Sequence, residues 1–311
     1  MTTDFFRPLA RKQDTGITHV FPALKGARHE NWAFYGLLFP NMDMSTDQVI
    51  EGLDDVWGSL YSGTADLREE QWLLPTSCPG WSVKDQLSHL VGIERSLQGV
   101  DAPAVSDRER PHVKNSIGEM NEIWVESLRS SSGEEVRAEF FAVTQERLAA
   151  LRGFDEPTFD AVGWSPVGQV PMRKFMEVRI MDSWIHEQDA RIALGRPGGR
   201  NGVGESVTLG RVDLALGLVV GKGARPEEGA SVAFVITGPL GRRHRIVVID
   251  GRGVMEAGDD ATATLTLTQE TYVQRFGGRI TADEAASAPG TELDGDRQLA
   301  EAVLRALCVM I

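Results

Sequence analysis

The stretch Arg179-Ile-Met-Asp182-Ser-Trp-Ile-His186-Glu187-Gln-Asp189-Ala-Arg191 decides how this chain is read. Pro171 suits the first turn of a helix, where a missing N–H costs no hydrogen bond. Gly195, with Pro197 beyond it, marks the other end. On that helix Asp182 and His186 lie four residues apart, so both side chains leave the same face. Such a pair can hold one metal ion if another helix supplies a third ligand. Read alone, it also describes an ordinary surface ion pair.

Working outward, Ser82-Val-Lys-Asp85 resembles a capping box with Asp in place of Glu. It opens a helix carrying Val83, Leu87, Leu90, Val91 and Leu97. His89 stands mid-helix among these apolar neighbours. It is either a core residue with satisfied hydrogen bonds or the missing third ligand. Two imidazoles and one carboxylate suit zinc, and an open fourth position would make the site catalytic. Nickel, iron and manganese fit by ligand type. Asp189, three residues after His186, is placed to orient an imidazole through its free N–H. Glu187 falls on another face and reads as solvated, and Trp184 reads as core.

Ser45-Thr-Asp opens an earlier helix with Val49, Leu53, Val56, Trp57 and Leu60 at helical spacing. Two more stretches, about 115–130 and 133–151, repeat the pattern, and a loop from Gly153 to Gly168 follows. Residues 45–196 therefore read as a bundle of four or five helices. The run Arg196-Pro-Gly-Gly-Arg-Asn-Gly is a linker. Beyond it a helix with Val207, Val212 and Leu214 to Val219 leads into strand-like alternation at 231–237, 244–249 and 261–268. Helices around 269–276 and 296–310 close the chain. Residues 204–311 are thus an α+β domain with a mostly antiparallel sheet. Residues 1–44 read as an irregular extension. It either precedes an authentic start near Met42 or Met44, or forms a strap laid on the bundle.

The 41% hydrophobic share of the 311 residues gives material for a real core. No run of about 18 apolar residues exists, so no membrane helix is expected, and the cytoplasm is the default compartment. A net charge of −13 argues against nucleic-acid binding. The basic run Gly241-Arg242-Arg243-His244-Arg245 reads as a solvated hairpin edge. Two cysteines, Cys78 and Cys308, exclude a Cys-based zinc site, so any metal must use His and carboxylates. Cys78 reads as a loop residue rather than a nucleophile.

The segment Cys78-Pro-Gly-Trp81-Ser-Val-Lys-Asp85-Gln-Leu-Ser-His89-Leu90 resembles the hallmark of the mycothiol-dependent maleylpyruvate isomerase family, a group of DinB-like metal-binding bundles. The Arg179–Pro197 segment resembles its second signature. Ala263-Thr-Leu-Thr-Leu-Thr, Phe276-Gly-Gly-Arg279 and Leu293-Asp-Gly-Asp296 resemble its sterol-carrier-like second domain. The resemblance implies a divalent metal on His89, Asp182 and His186, although the isomerase itself carries Glu at the Asp182 position. It implies mycothiol, a cysteine-bearing sugar thiol, as cosubstrate, and a small electrophile as substrate. Cis–trans isomerisation and thiol S-transfer both follow from a thiolate nucleophile. Arg179, one turn before Asp182, is a candidate grip for a substrate carboxylate, or else an ion-pair residue. A non-catalytic ligand carrier with a structural metal is the alternative. A monomer or homodimer without nucleic-acid or membrane partners is expected.

Overall fold

The structure, a computed structural model, describes residues 44–105, 109–165 and 168–310. The expectations for the N-terminal extension fall outside these residues, Met44 apart. The described chain forms two compact units that meet in sequence at Gly204 and Glu205.

The first unit is helical. Helix α1 (Thr46–Gly63) starts where Ser45 accepts from the Gln48 N–H and the Gln48 side chain accepts from the Ser45 N–H. These bonds satisfy two donors that a helix start leaves unpaired. A short α2 (Glu69–Trp72) precedes α3 (Val83–Leu97), which is capped by the reciprocal Ser82–Asp85 pair. Helices α4 (Ser116–Ser127) and α5 (Gly133–Arg152) follow. The expected loop at 153–168 instead holds α6 (Glu156–Asp160) and most of an antiparallel hairpin, β1 (Val162–Ser165) and β2 (Gly168–Pro171). Its Gly and Pro residues had read as loop punctuation. Asp155 caps α6, and Pro171 hands the hairpin on to α7 (Met172–Leu194). Gly195 closes α7 in the left-handed conformation, at φ 63°.

Helix α3 is the centre of this unit, packed against α4, α5 and α7, while α1 packs on α5 and α7. Leu53, Leu87, Leu90, Phe140, Leu148 and Ile180 are fully buried between them. Each such side chain contributes about 1.5–3 kcal/mol relative to exposure. Gly92 lets α4 approach α3: a Cβ there would lie 2.3 Å from the Trp124 side chain.

The second unit begins with α8 (Val203–Leu218), whose end runs into one π-helical turn, Val219–Ala224. A five-stranded sheet follows: β3 (Ser231–Thr237), β4 (Arg242–Ile249), β5 (Arg252–Met255), β6 (Ala263–Thr268) and β7 (Glu292–Gly295), in spatial order β5-β4-β3-β6-β7. The central pair β3–β6 is parallel and the other pairings are antiparallel, so the sheet is mixed. Ala263, Leu265 and Leu267 of β6 face the core, alternating with half-buried threonines. Helices α9 (Gln269–Phe276), α10 (Ala282–Ser287) and α11 (Arg297–Ala306) complete the unit.

The basic run at 241–245 is not simply a solvated edge. Arg243 is exposed, but Arg242 and His244 turn inward toward Asp213 of α8. No described helix is long and apolar enough to cross a membrane.

Candidate metal centre

Helices α3 and α7 carry the site between them. His89 of α3 and Asp182 and His186 of α7 each offer one ligand atom, and those atoms all lie within 4.8 Å of one another. His89 Nε2 is 3.2 Å from Asp182 Oδ2, and His186 Nε2 is 3.5 Å from Asp182 Oδ1. The imidazole side chains are 3% and 6% exposed and the carboxylate 17%, so the group opens to solvent on the Asp182 side.

The orientation of His186 follows from its neighbour. Its Nδ1 lies 2.6 Å from Gln86 Oε1, an atom that only accepts. The Gln86 amide nitrogen donates to Thr76 Oγ1 at 2.9 Å and to the Ser82 carbonyl, which fixes the amide's direction. Nδ1 therefore carries the proton, and the lone pair of Nε2 faces Asp182. Asp189 Oδ2 stands farther from Nδ1, at 3.6 Å, beyond hydrogen-bond range. His89 Nδ1 is buried without a hydrogen-bond partner among the described residues.

Trp81 covers both imidazoles, with ring centroids 5.1 Å from His89 and 5.6 Å from His186. Its indole N–H donates to Glu122 Oε2 at 2.7 Å. The same buried carboxylate pairs with His112 and accepts from Arg129. The turn before Trp81 needs Gly80 in the left-handed region, at φ 79°, where a Cβ would strike the His112 ring.

Burial pulls His89 down from its ordinary value to about 4, against the opposing influence of Asp182, so the ring is neutral near pH 7. Burial works to raise the Asp182 carboxyl, yet His89 and Arg179 hold it well below the ordinary carboxylate range. A neutral His89 and an ionised Asp182 are the protonation states a divalent ion requires of such ligands, and the Gln86 contact leaves His186 Nε2 as the ring nitrogen on the Asp182 side. The residues present fit such an ion.

Arg179 lies beneath Asp182 and is 3% exposed. Its Nη1 donates to Asp182 Oδ2, while Nε and Nη2 lie 3.0 and 2.9 Å from Glu94 Oε1. Its guanidinium is engaged by two carboxylates of the chain itself. Glu187 corrects the sequence reading: it is buried, not solvated, and accepts from Ser59 and Arg191. Trp184 is buried and donates to the Gly199 carbonyl. Cys78 is half-buried in the loop before Trp81.

Sequence reasoning missed Gln86, Glu94 and Glu122. Gln86, three residues before His89 on the same helical face, carries a usable signal, because an amide at a core-facing position needs a polar partner. Glu94 sits likewise in a buried position of α3. Glu122 meets Trp81 across 41 residues and leaves no local trace.

Residues 53–191 match the family described as the mycothiol maleylpyruvate isomerase N-terminal domain. No curated protein matches the chain. Among solved structures, the chain is similar to a crystal structure of the mycothiol-dependent maleylpyruvate isomerase, with TM-score 0.53 and 14% identity. That likeness covers 81% of this chain and 94% of the other. A histidine-to-alanine mutant of that enzyme is similar over the same shares, with TM-score 0.51 and 14% identity. At this identity the likeness speaks for the fold. The matched residues 53–191, which hold α3 and most of α7, are similar to the mycothiol maleylpyruvate isomerase N-terminal domain, so the likeness covers the part of the chain that carries the three convergent side chains.

Proposed function

We propose that this chain is a metal-dependent enzyme that uses a low-molecular-weight thiol, mycothiol, against a small electrophilic substrate. The reaction class is reversible thiol addition with cis–trans isomerisation, or thiol S-transfer; the similar solved enzyme is named a mycothiol-dependent isomerase. The observation that carries the reading is the convergence of His89, Asp182 and His186, whose ligand atoms lie within 4.8 Å of one another.

These three side chains would hold a divalent ion, zinc by preference for two imidazoles and a carboxylate, with nickel, iron or manganese also fitting the donors. When bound, such an ion supplies the Lewis acidity that keeps a thiol deprotonated near neutral pH, and the thiolate is the nucleophile. Gln86 sets the His186 tautomer so that Nε2 keeps its lone pair. Trp81 lies over both imidazoles and shields that side from water. The half-open Asp182 side is where thiol and substrate approach. In isomerisation the thiolate adds to a carbon of a conjugated double bond, the C–C bond rotates, and the thiolate leaves. The thiol is regenerated and no atom is lost.

Metal content of the full chain and of His186→Ala, each purified without added metal, tests the reading. The expected result is about one divalent ion per wild-type chain and a large loss in the variant. Mycothiol-dependent turnover of a cis-configured keto acid, followed by its ultraviolet absorbance, should track the metal. Wild-type protein that takes up no zinc, nickel, iron or manganese even when these are supplied would sink the proposal.

A further inference from the structure

Behind the three convergent ligands lies a run of buried charge that the reaction does not touch. Arg179 Nη1 donates to Asp182 Oδ2, and the far side of the guanidinium is held by Glu94 Oε1. Glu94 is 1% exposed, and its Oε2 lies 3.4 Å from the buried Arg147 Nε. A permanent cation beside a dication site is unfavourable on charge alone. Its place there calls for a gain that offsets the repulsion.

Resting on the metal-site reading above, we infer that Arg179, clamped by Glu94, is a positioning residue that fixes the Asp182 carboxylate and restricts it to offering one oxygen. Aspartate has few side-chain bonds, but at the open edge of the site its carboxylate is free to turn. Arg179 stops that rotation by donating to Oδ2, the oxygen that His89 Nε2 also meets at 3.2 Å, and Oδ1, which faces His186 Nε2, is the oxygen left without a donor from Arg179. Glu94 stops Arg179 from turning away, because Nε donates to Oε1 and Nη2 lies 2.9 Å from the same oxygen as an ion-pair contact. The clamp spans two helices: Glu94 is on α3 with His89, and Arg179 is on α7 with Asp182. It thus also sets how the two ligand-bearing helices face each other.

The test is zinc affinity by chelator competition on full-length wild type, Arg179→Gln, Arg179→Lys and Glu94→Gln, beside thermal melting of each metal-free protein. Arg179→Gln should bind zinc roughly 10–100-fold more weakly, although losing a cation would by charge alone tighten binding. Arg179→Lys should recover only part of this, since an ammonium restores the charge but not the planar fork. Glu94→Gln should fall between Arg179→Gln and wild type. X-ray absorption at the zinc edge should show an altered oxygen shell in Arg179→Gln. Should Arg179→Gln fail to fold, the Lys and Glu94→Gln variants carry the same comparison. Lowered melting with affinity and oxygen shell unchanged, or tighter binding in Arg179→Gln, would overturn the inference alone. A wild type that binds no zinc would overturn the site reading and this inference with it.

Discussion

In the helical unit Asp182 sits between two imidazoles whose ring nitrogens converge on it, whereas in the second unit Asp213 sits among donors that saturate it. Tyr272 donates to Asp213 Oδ1 at 3.0 Å, Arg242 donates to Oδ2 at 2.7 Å, and His244 Nε2 lies 3.1 Å from the same oxygen. Burial and then the Asp213 charge push the Tyr272 phenol well above its ordinary value, so it stays a neutral donor. Both units bury a carboxylate between elements distant in sequence. What differs is the balance of donors and acceptors. Around Asp213 each carboxylate oxygen meets a donor, Tyr272 on Oδ1 and Arg242 on Oδ2, so the cluster joins α8, β4 and α9 without calling for a ligand, although His244 Nε2 beside it makes no hydrogen bond among the described residues. Around Asp182 the Nε2 atoms of His89 and His186 converge on the carboxylate within 4.8 Å, and His89 Nδ1 has no partner among the described residues, an arrangement that a cation between the three side chains would complete. Burial of charge alone therefore does not identify a site.

The largest effect that would break this contrast is expected at Glu94. It is the counter-charge for Arg179 and Arg147, both nearly inaccessible. Truncation by Glu94→Ala leaves two buried guanidinium groups without it, and removing one partner of a buried pair costs about 3–5 kcal/mol. Urea unfolding of wild type and variant measures this. A loss under about 1 kcal/mol would mean that the charges are solvated, and that the interior of the helical unit is no more demanding than a surface.

A smaller effect should appear on acidification of the metal-free protein. His89 titrates in the folded state at about 4, below its ordinary 6.5. Above the ordinary value both folded and unfolded chains hold the ring neutral, and stability is whole. Between the two values the unfolded chain takes up a proton that the folded chain refuses, so stability falls as pH falls. From about pH 7 to about pH 4.5 the loss should be about 2–3 kcal/mol, and it should be absent in His89→Gln. The lowered Asp182 adds its own loss only below the ordinary carboxylate value. Urea unfolding at the two pH values reads the difference. A profile as steep in His89→Gln as in wild type would move the acid sensitivity elsewhere.

How much of this was legible beforehand depends on how local each signal is. The capping pairs Ser45–Gln48 and Ser82–Asp85 and the close at Gly195 are one-turn features, and they bound α1, α3 and α7. The periodic apolar residues of α5 likewise point inward. Asp182 and His186 share a face by spacing alone, but that His89 faces them across 93 residues is a matter of packing. The hairpin β1–β2 was missed because short strands with Gly and Pro look like a loop until they pair. The parallel pairing of β3 with β6 is equally non-local. Glu187 was misread because its partner Ser59 sits on another helix, 128 residues away. Arg242 and His244 were misread because Asp213 reaches them from α8.

The smallest effect sharpens the comparison from the other side. Tyr272→Phe removes one donor from Asp213 and leaves Arg242 and His244 in place. A single hydrogen bond to a charged acceptor is worth about 1.5–3 kcal/mol, and part of that returns because phenylalanine has no hydroxyl to desolvate. The expected net loss is about 1 kcal/mol, read by thermal melting. Because Arg242 still donates to the carboxylate and balances its charge, no new cation demand should arise, and the metal content per chain should equal that of wild type. A variant that takes up additional zinc would show that Asp213 was one donor short of being a site itself. A loss of about 3 kcal/mol or more would show that Tyr272, and not the ion pair with Arg242, holds α9 to α8. Unchanged metal content with a modest loss would leave the donor count as what separates the centre in the helical unit from the cluster in the second.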